Sequence, residues 1–147
     1  MQSAPLPDST IRVGSWNVHG LMDYKHAPLL EVLTSLRLDI ICVSETHMWN
    51  AEQQLDWSTA LERDGRFIWF GRPAVRNSTS VSDIGRGAGG VGILIRSDWR
   101  PHVTVLPLCQ HDCMVWVRLT LPQCPWSLTV ASVYMCPTVP RKCGTVV

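Results

Sequence analysis

Apolar positions along this chain fall into short runs of two kinds, and the difference between them predicts the elements. Residues 11–16 read as a short strand with Ile11, Val13 and Ser15 on one face, ended by the loop Asn17-Val18-His19-Gly20. Leu29, Leu33 and Leu36, flanked by Leu30 and Val32, recur at helical spacing. Pro28 suits the first turn of that helix, which the pattern carries to about residue 38. Ile40-Ile41-Cys42-Val43 is a continuous apolar run of the kind a strand covered on both faces shows. Strand, helix and strand within about thirty-five residues predict a parallel pair joined by a crossover helix.

The second half changes character. A weaker helical pattern covers residues 52–63, a short aromatic strand residues 67–70, and a polar loop rich in Ser, Arg and Gly residues 72–88. Residues 90–95 form a second continuous apolar strand. Residues 102–106 alternate, and in residues 115–121 the side chains of Val115, Val117, Leu119 and Leu121 share one face. Residues 128–134 make the last strand. Strands at short intervals without helices between them predict antiparallel neighbours added to the initial parallel pair. The fold class is therefore α/β, a mixed β-sheet with flanking helices.

Composition narrows this picture rather than changing it. The chain has 147 residues, 46% hydrophobic and 17% charged, which suits one domain with a sizeable core. Thirteen basic and twelve acidic residues leave a net charge of +1, so any grip on nucleic acid would be local rather than global. No apolar run approaches a membrane span, and residues 1–10, read as a leader, carry neither the basic nor the apolar region of a secretory signal. The expectation is a soluble intracellular chain with no membrane partner. The six cysteines then read as free thiols. Cys109-x-His111-x-Cys113 has the look of half a zinc site, but Cys136 and Cys143 are too far apart to supply the other half.

Two features carry candidate chemistry. Gly85-x-Gly87-x-Gly89-Gly90 follows a loop and opens a strand, whereas a dinucleotide fingerprint must follow a strand and open a helix. These glycines are expected to let the backbone turn tightly and pack closely on a neighbouring strand. Asn17 and Glu45 fall at the carboxyl ends of the two predicted parallel strands, where ligands of open α/β sheets gather. One carboxylate helped by an amide oxygen and waters is a usual way to hold a magnesium ion. The alternative is that Asn17 caps a turn and Glu45 is a solvated strand end.

The segments around these residues bear on that choice. Ser15-Trp16-Asn17-Val18-His19-Gly20-Leu21, Leu38-Asp39-Ile40-Ile41-Cys42-Val43-Ser44-Glu45-Thr46-His47, Gly89-Gly90-Val91-Gly92-Ile93-Leu94-Ile95 and Val133-Tyr134-Met135-Cys136-Pro137 occur in that order. Together they resemble the endonuclease/exonuclease/phosphatase superfamily, and within it the apurinic-endonuclease-like domain of non-LTR retrotransposons. The resemblance implies about one half of a four-layer α/β sandwich, with residues 11–137 as the N-terminal part of the domain and residues 138–147 unassigned. It implies that Glu45 ligates a divalent cation, Mg2+ or Mn2+, that Asn17 helps organise that metal, and that the Tyr134 hydroxyl contacts or supports the scissile phosphate. The implied activity is metal-dependent phosphodiester hydrolysis, a DNA endonuclease of retrotransposon type, with the DNA phosphate backbone as partner and the nucleus as location if the chain is part of a retroelement. His19 stands where repair-type members often carry an aspartate and is read as an exposed loop histidine without a role.

The family's later segments, which orient the attacking water and handle the leaving group, have no counterpart after Pro137. The expectation is a truncated form, inactive alone, whose single sheet leaves one face wet and whose stability is marginal. The other readings are a catalytically inactive remnant or binding scaffold, or a phosphatase of the same superfamily acting on a lipid or RNA substrate. Arg72, Arg76 and Arg86 either meet phosphates or ride incidentally on a solvated loop. The seven tryptophans read chiefly as core and sheet-face packing.

Overall fold

A computed structural model describes residues 10–74, 89–107 and 113–134. The leader up to residue 9, the tail, Arg76, Arg86, Gly85, Gly87, Cys109, His111, Cys136 and Cys143 lie outside the described residues. The elements are β1 (Val13–Asn17), α1 (Asp23–Ser35), β2 (Ile40–Ser44), α2 (Ala51–Asp64), β3 (Phe67–Arg72), β4 (Val91–Arg96), a 3-10 turn (Ser97–His102), β5 (Val103–Val105), β6 (Met114–Leu119) and β7 (Leu128–Val133). They form two sheets, of order β1-β2-β4-β3 and β5-β6-β7. β1 and β2 run parallel, β4 is antiparallel to both β2 and β3, and the second sheet is antiparallel throughout. The mixed α/β class expected from the sequence is the one observed. Among the described residues no helix is long and apolar enough to cross a membrane.

The first sheet is covered on both faces. Ile41 and Val43 of β2 and Leu94 of β4 pack against Leu29, Leu30 and Leu33 of α1 and Trp57 and Leu61 of α2. On the other face Ile40, Ile68, Val91, Ile93 and Ile95 meet Val115, Val117, Leu119 and Leu121. Burial of one such aliphatic side chain contributes about 1.5–3 kcal/mol, so these two layers hold the fold together. The expectation of one sheet with a wet face is thereby corrected: β5, β6 and β7 are a second sheet laid over β2, β4 and β3. The two kinds of apolar run mark the two layers. β2 and β4 are continuous because helices lie on one side and a sheet on the other, whereas β6 alternates because only one of its faces is covered.

Local signals fix the element ends. Asn50 caps α2 by accepting the Gln53 N–H at 2.9 Å, and the Gln53 side chain accepts the Trp49 N–H at 3.0 Å in return. Gly65 closes the helix in the left-handed conformation, its N–H donating to Leu61 O at 2.8 Å. α1 begins at Asp23, not at Pro28 as the sequence suggested. Pro28 lies inside the helix and leaves the Tyr24 carbonyl without its usual donor, a cost limited because Tyr24 is solvent-exposed. At the amino end of β2, the buried Asp39 carboxylate accepts the Arg12 N–H at 2.8 Å and Arg96 Nη1 at 3.1 Å, pinning β1, β2 and β4 together. Cys42, Cys113 and Cys124 are free thiols.

Candidate active site

The opposite end of the first sheet gathers the polar residues. Cross-strand register aligns Asn17 with Ser44, Ser44 with Val91, and Val91 with Arg72, so these four share one row along the carboxyl rim of β1 and β2. Glu45 follows Ser44 directly. Asn17 and Glu45 therefore stand side by side, as the parallel pair required. Tyr134 arrives from the second sheet, one residue past β7, with its N–H on Cys113 O at 3.0 Å. Its hydroxyl donates to Glu45 Oε1. The structure thus brings Asn17, Glu45 and Tyr134 together from three strands and two sheets.

Backbone conformation presents the carboxylate. His19, Glu45 and His47 have φ values of 48°, 54° and 56°, a left-handed region that side chains other than glycine occupy reluctantly. Three such residues in one place cost on the order of 1 kcal/mol each and persist only where neighbours over-determine them. Here the segment after β2 is hydrogen-bonded on both sides. Gly20 and Leu21 donate to Glu45 O and Thr46 O at 2.7 Å each, and Thr46 and His47 donate to Gly90 O and Gly89 O at 3.3 and 3.0 Å. A Cβ on Gly90, whose φ is 88°, would collide with Thr46 Oγ1. The expectation that Gly89 and Gly90 allow a close backbone approach holds, and what they approach is the segment bearing Glu45.

Two groups escaped the sequence reading. His19 is exposed, as expected, yet its Nδ1 lies 3.2 Å from Glu45 Oε2 while its backbone N–H donates to Asn17 Oδ1 at 3.0 Å. Lys25 sends its ammonium back over the loop, donating to the carbonyls of Val18, His19 and Gly20 at 3.4, 3.2 and 3.0 Å. No sequence spacing announces a lysine that clamps carbonyls. The Glu45 carboxyl is held below its ordinary pKa, chiefly by the Tyr134 hydroxyl, against the opposing effect of burial and with help from His19, Asn17 and the nearby His47. The site accordingly presents a carboxylate that stays charged in mildly acidic solution.

Among the described residues no group of three or more His, Cys, Asp and Glu side chains is arranged to hold a metal ion. The donor set at the rim is sparser: one ionised carboxylate, which accepts from the Asn17 side chain, and the Asn17 amide oxygen, which accepts the His19 N–H. Hard oxygen donors of this number, completed by water, fit magnesium, which retains much of its hydration shell. Arg72 sits in the same row as Asn17 and Ser44, at the far strand of the sheet. The tryptophans largely serve packing: Trp57 is fully buried, and Trp69 lies against Gly71 and Gly92, where a side chain would clash with its ring.

Comparison with known proteins bears on the family and the fold. The Endonuclease/Exonuclease/phosphatase family matches residues 14–141. No curated protein sequence matches significantly. Among solved structures, the AP endonuclease LMAP from Leishmania major superposes with a TM-score of 0.59 at 16% identity, over 83% of this chain and 39% of its own. The endonuclease domain of TRAS1, a telomere-specific non-LTR retrotransposon, gives 0.58 at 17% identity, over 89% of this chain and 47% of its own. An AP endonuclease from Archaeoglobus fulgidus gives 0.50 at 13% identity, over 75% and 37%. At these identities the likeness is one of fold, and the chain spans less than half the length of each of these structures.

Proposed function

The chain belongs to the endonuclease/exonuclease/phosphatase family, and from that premise we propose that its rim is the cation-holding part of an active site for phosphodiester hydrolysis in DNA. One observation supports this above the others: the register of β1 on β2 sets the Asn17 amide beside the Glu45 carboxylate, with the Tyr134 hydroxyl bonded to that same carboxylate. In this reading Glu45 and Asn17 hold Mg2+ or Mn2+. A divalent cation bound there neutralises the charge that develops on the phosphate and on the leaving oxygen of an in-line displacement. Tyr134 fixes the carboxylate from the second sheet. Lys25 and the hydrogen bonds of residues 18–21 hold the loop that carries Asn17 against the Glu45 segment, so the donors are positioned before any ligand arrives. The DNA phosphate backbone is the proposed partner, with Arg72 in line to meet it. Activation of the attacking water belongs to groups other than these.

The test is magnesium titration of the chain, followed by amide NMR. Shifts are expected at residues 17–19 and 45–46, with affinity falling about 10–100-fold in Glu45→Gln. Any nicking of supercoiled plasmid by the chain must vanish in Glu45→Gln and with a chelator. Shifts confined to other residues, or nicking that survives both controls, would overturn the assignment. A folded chain that binds magnesium through Glu45 but leaves the plasmid intact would instead point to a binding scaffold.

A further inference from the structure

We propose that the outer edge of β1 is a self-association surface, on which a second copy of this chain docks about a two-fold axis, β1 against β1 and α1 against α1. β1 ends its sheet: among the described residues no strand pairs with the side turned away from β2. Arg12 O accepts the Ile40 N–H, and the Val18 N–H donates to Ser44 O, so the backbone of both faces β2. Alternation along the strand then turns the N–H and C=O groups of Val13, Ser15 and Asn17 outward. Edges of this kind are ordinarily blunted by charge, proline or a bulge. β1 has no charged residue and no proline, and it pairs with β2 without interruption.

The helix beside this edge is built the same way. Lys25 reaches the carbonyls of the loop after β1, which identifies the flank of α1 that faces the edge. Val32 and Leu36 stand about two and three turns further along that flank. The opposite flank faces α2, where His26 meets the ring of Trp57. Val32 and Leu36 are 41% and 53% exposed, and Trp16, aligned with Val43 on the helical face, is open as well. With Val13 these side chains make one apolar patch around an unpaired strand. A two-fold contact sets the centre of a patch against its own copy, so a charge there would repel itself. None of the four is charged, nor are Ser15 and Asn17, and the Lys25 ammonium is turned back onto the loop. Arg12 and Arg37 stand at the ends, where antiparallel pairing keeps each away from its own copy. Such a patch suits a second copy better than a charged partner such as nucleic acid. Pairing centred on Ser15 sets Val13 opposite Asn17 of the other copy and carries both α1 helices on one face of the joined sheet, flank to flank. The patch and the strand edge offer on the order of 500 Å² per copy, about 1,000 Å² in a pair, which reaches the size of a specific interface.

The experiment is sedimentation equilibrium of the full chain, joined to amide exchange. A monomer–dimer equilibrium with a dissociation constant in the micromolar range is expected, saturating at two copies. Exchange of the Val13 and Ser15 amides should slow by about tenfold or more as the concentration rises through that constant. Val32→Lys sets a charge against its copy at an exposed helical position and should weaken the dimer by about tenfold or more. Leu55→Lys, at a still more exposed apolar position on α2, should leave the dimer unchanged. A chain that stays monomeric at millimolar concentration would overturn the proposal and leave the edge to another occupant. Association that grows past two copies would overturn the two-fold contact. A dimer whose Val13 and Ser15 amides exchange as fast as in the monomer, or one that Val32→Lys and Leu55→Lys weaken equally, would place the interface elsewhere.

Discussion

β4 and β1 belong to the same sheet, separated only by β2, and they are held in opposite ways. In β4 the five residues from Val91 to Ile95 are all buried, between helices and second sheet. In β1 Val13 is 51% and Trp16 38% exposed, and a cleft of about 360 Å³ opens between it and β7, lined by Val13, Ser15, Cys42 and Ser132 among others. The second sheet covers β2, β4 and β3 and thins out over β1. What fixes the carboxyl end of β1 is hydrogen bonding: Val18, Gly20 and Leu21 donate to the backbone of residues 44–46, and Lys25 holds the loop carbonyls. The strand that bears Asn17 is thus kept in place by directed bonds, while the strands around Glu45 are kept in place by packing. A site assembled this way has one donor on a rigid support and one on a tether.

The contrast can be broken most decisively by truncating equivalent aliphatic side chains on the two strands. Ile93→Ala in β4 removes a fully buried side chain between two layers and should cost about 2–5 kcal/mol of unfolding free energy. Val13→Ala in β1, on the same face of the sheet, should cost about 0.5 kcal/mol or less, because half its surface is already wet. Denaturant midpoints of the two variants measure this. Equal losses would mean that β1 is packed as firmly as β4.

Much of this asymmetry was legible in the residues. The continuous runs in β2 and β4 announced strands covered on both sides, and the strand–helix–strand order predicted the parallel pair that sets Asn17 beside Glu45. The second sheet was not legible, because the alternation of Val115, Val117, Leu119 and Leu121 states that one face is covered without stating by which layer. The start of α1 was misread because Pro28 is tolerated inside a helix where the orphaned carbonyl faces water. Tyr134 entered only through the resemblance, since a tyrosine at a strand end has no spacing of its own. His19 stayed silent for a geometric reason: its neighbour Glu45 is 26 residues away, and a left-handed turn that no pattern encodes brings them together.

The tether itself can be loosened without touching the packed core. Lys25→Met keeps the apolar stem and removes the ammonium, leaving the carbonyls of Val18, His19 and Gly20 to water. Hydrogen bonds from a charged donor contribute about 1.5–3 kcal/mol when shielded, and partial exposure here brings the expected loss nearer 1 kcal/mol. The loss should be local. Amide exchange at residues 18–21 is expected to accelerate by about fivefold or more, with the amides of β4 unchanged. Acceleration spread evenly over both strands would show that the rim and the core open as one unit.

The smallest effect expected comes from a titratable ring on the packed side. His26 lies in α1, 6% exposed, with its ring 4.9 Å from that of the fully buried Trp57. Burial holds its pKa below the ordinary imidazole value of about 6.5, outweighing a hydrogen bond with the Leu21 backbone and the charges of Asp23 and Asp56. A folded state that resists a proton loses ground to an unfolded one that accepts it. Above the unfolded value both states are neutral and His26 imposes no pH dependence; as the pH falls below it, the unfolded chain gains protons first and stability declines until the folded pKa is passed. Melting temperatures should therefore drop between pH 7 and pH 5, and the drop should shrink in His26→Leu. Because that ring packs under the helical face of the sheet and reaches the rim loop only at the Leu21 backbone, acid should weaken the packed side and Leu21 with it, while the bonds from Val18 and Gly20 to residues 44 and 45 keep their exchange protection. Loss of protection at residues 18 and 20 ahead of β4 as the pH falls would contradict this order.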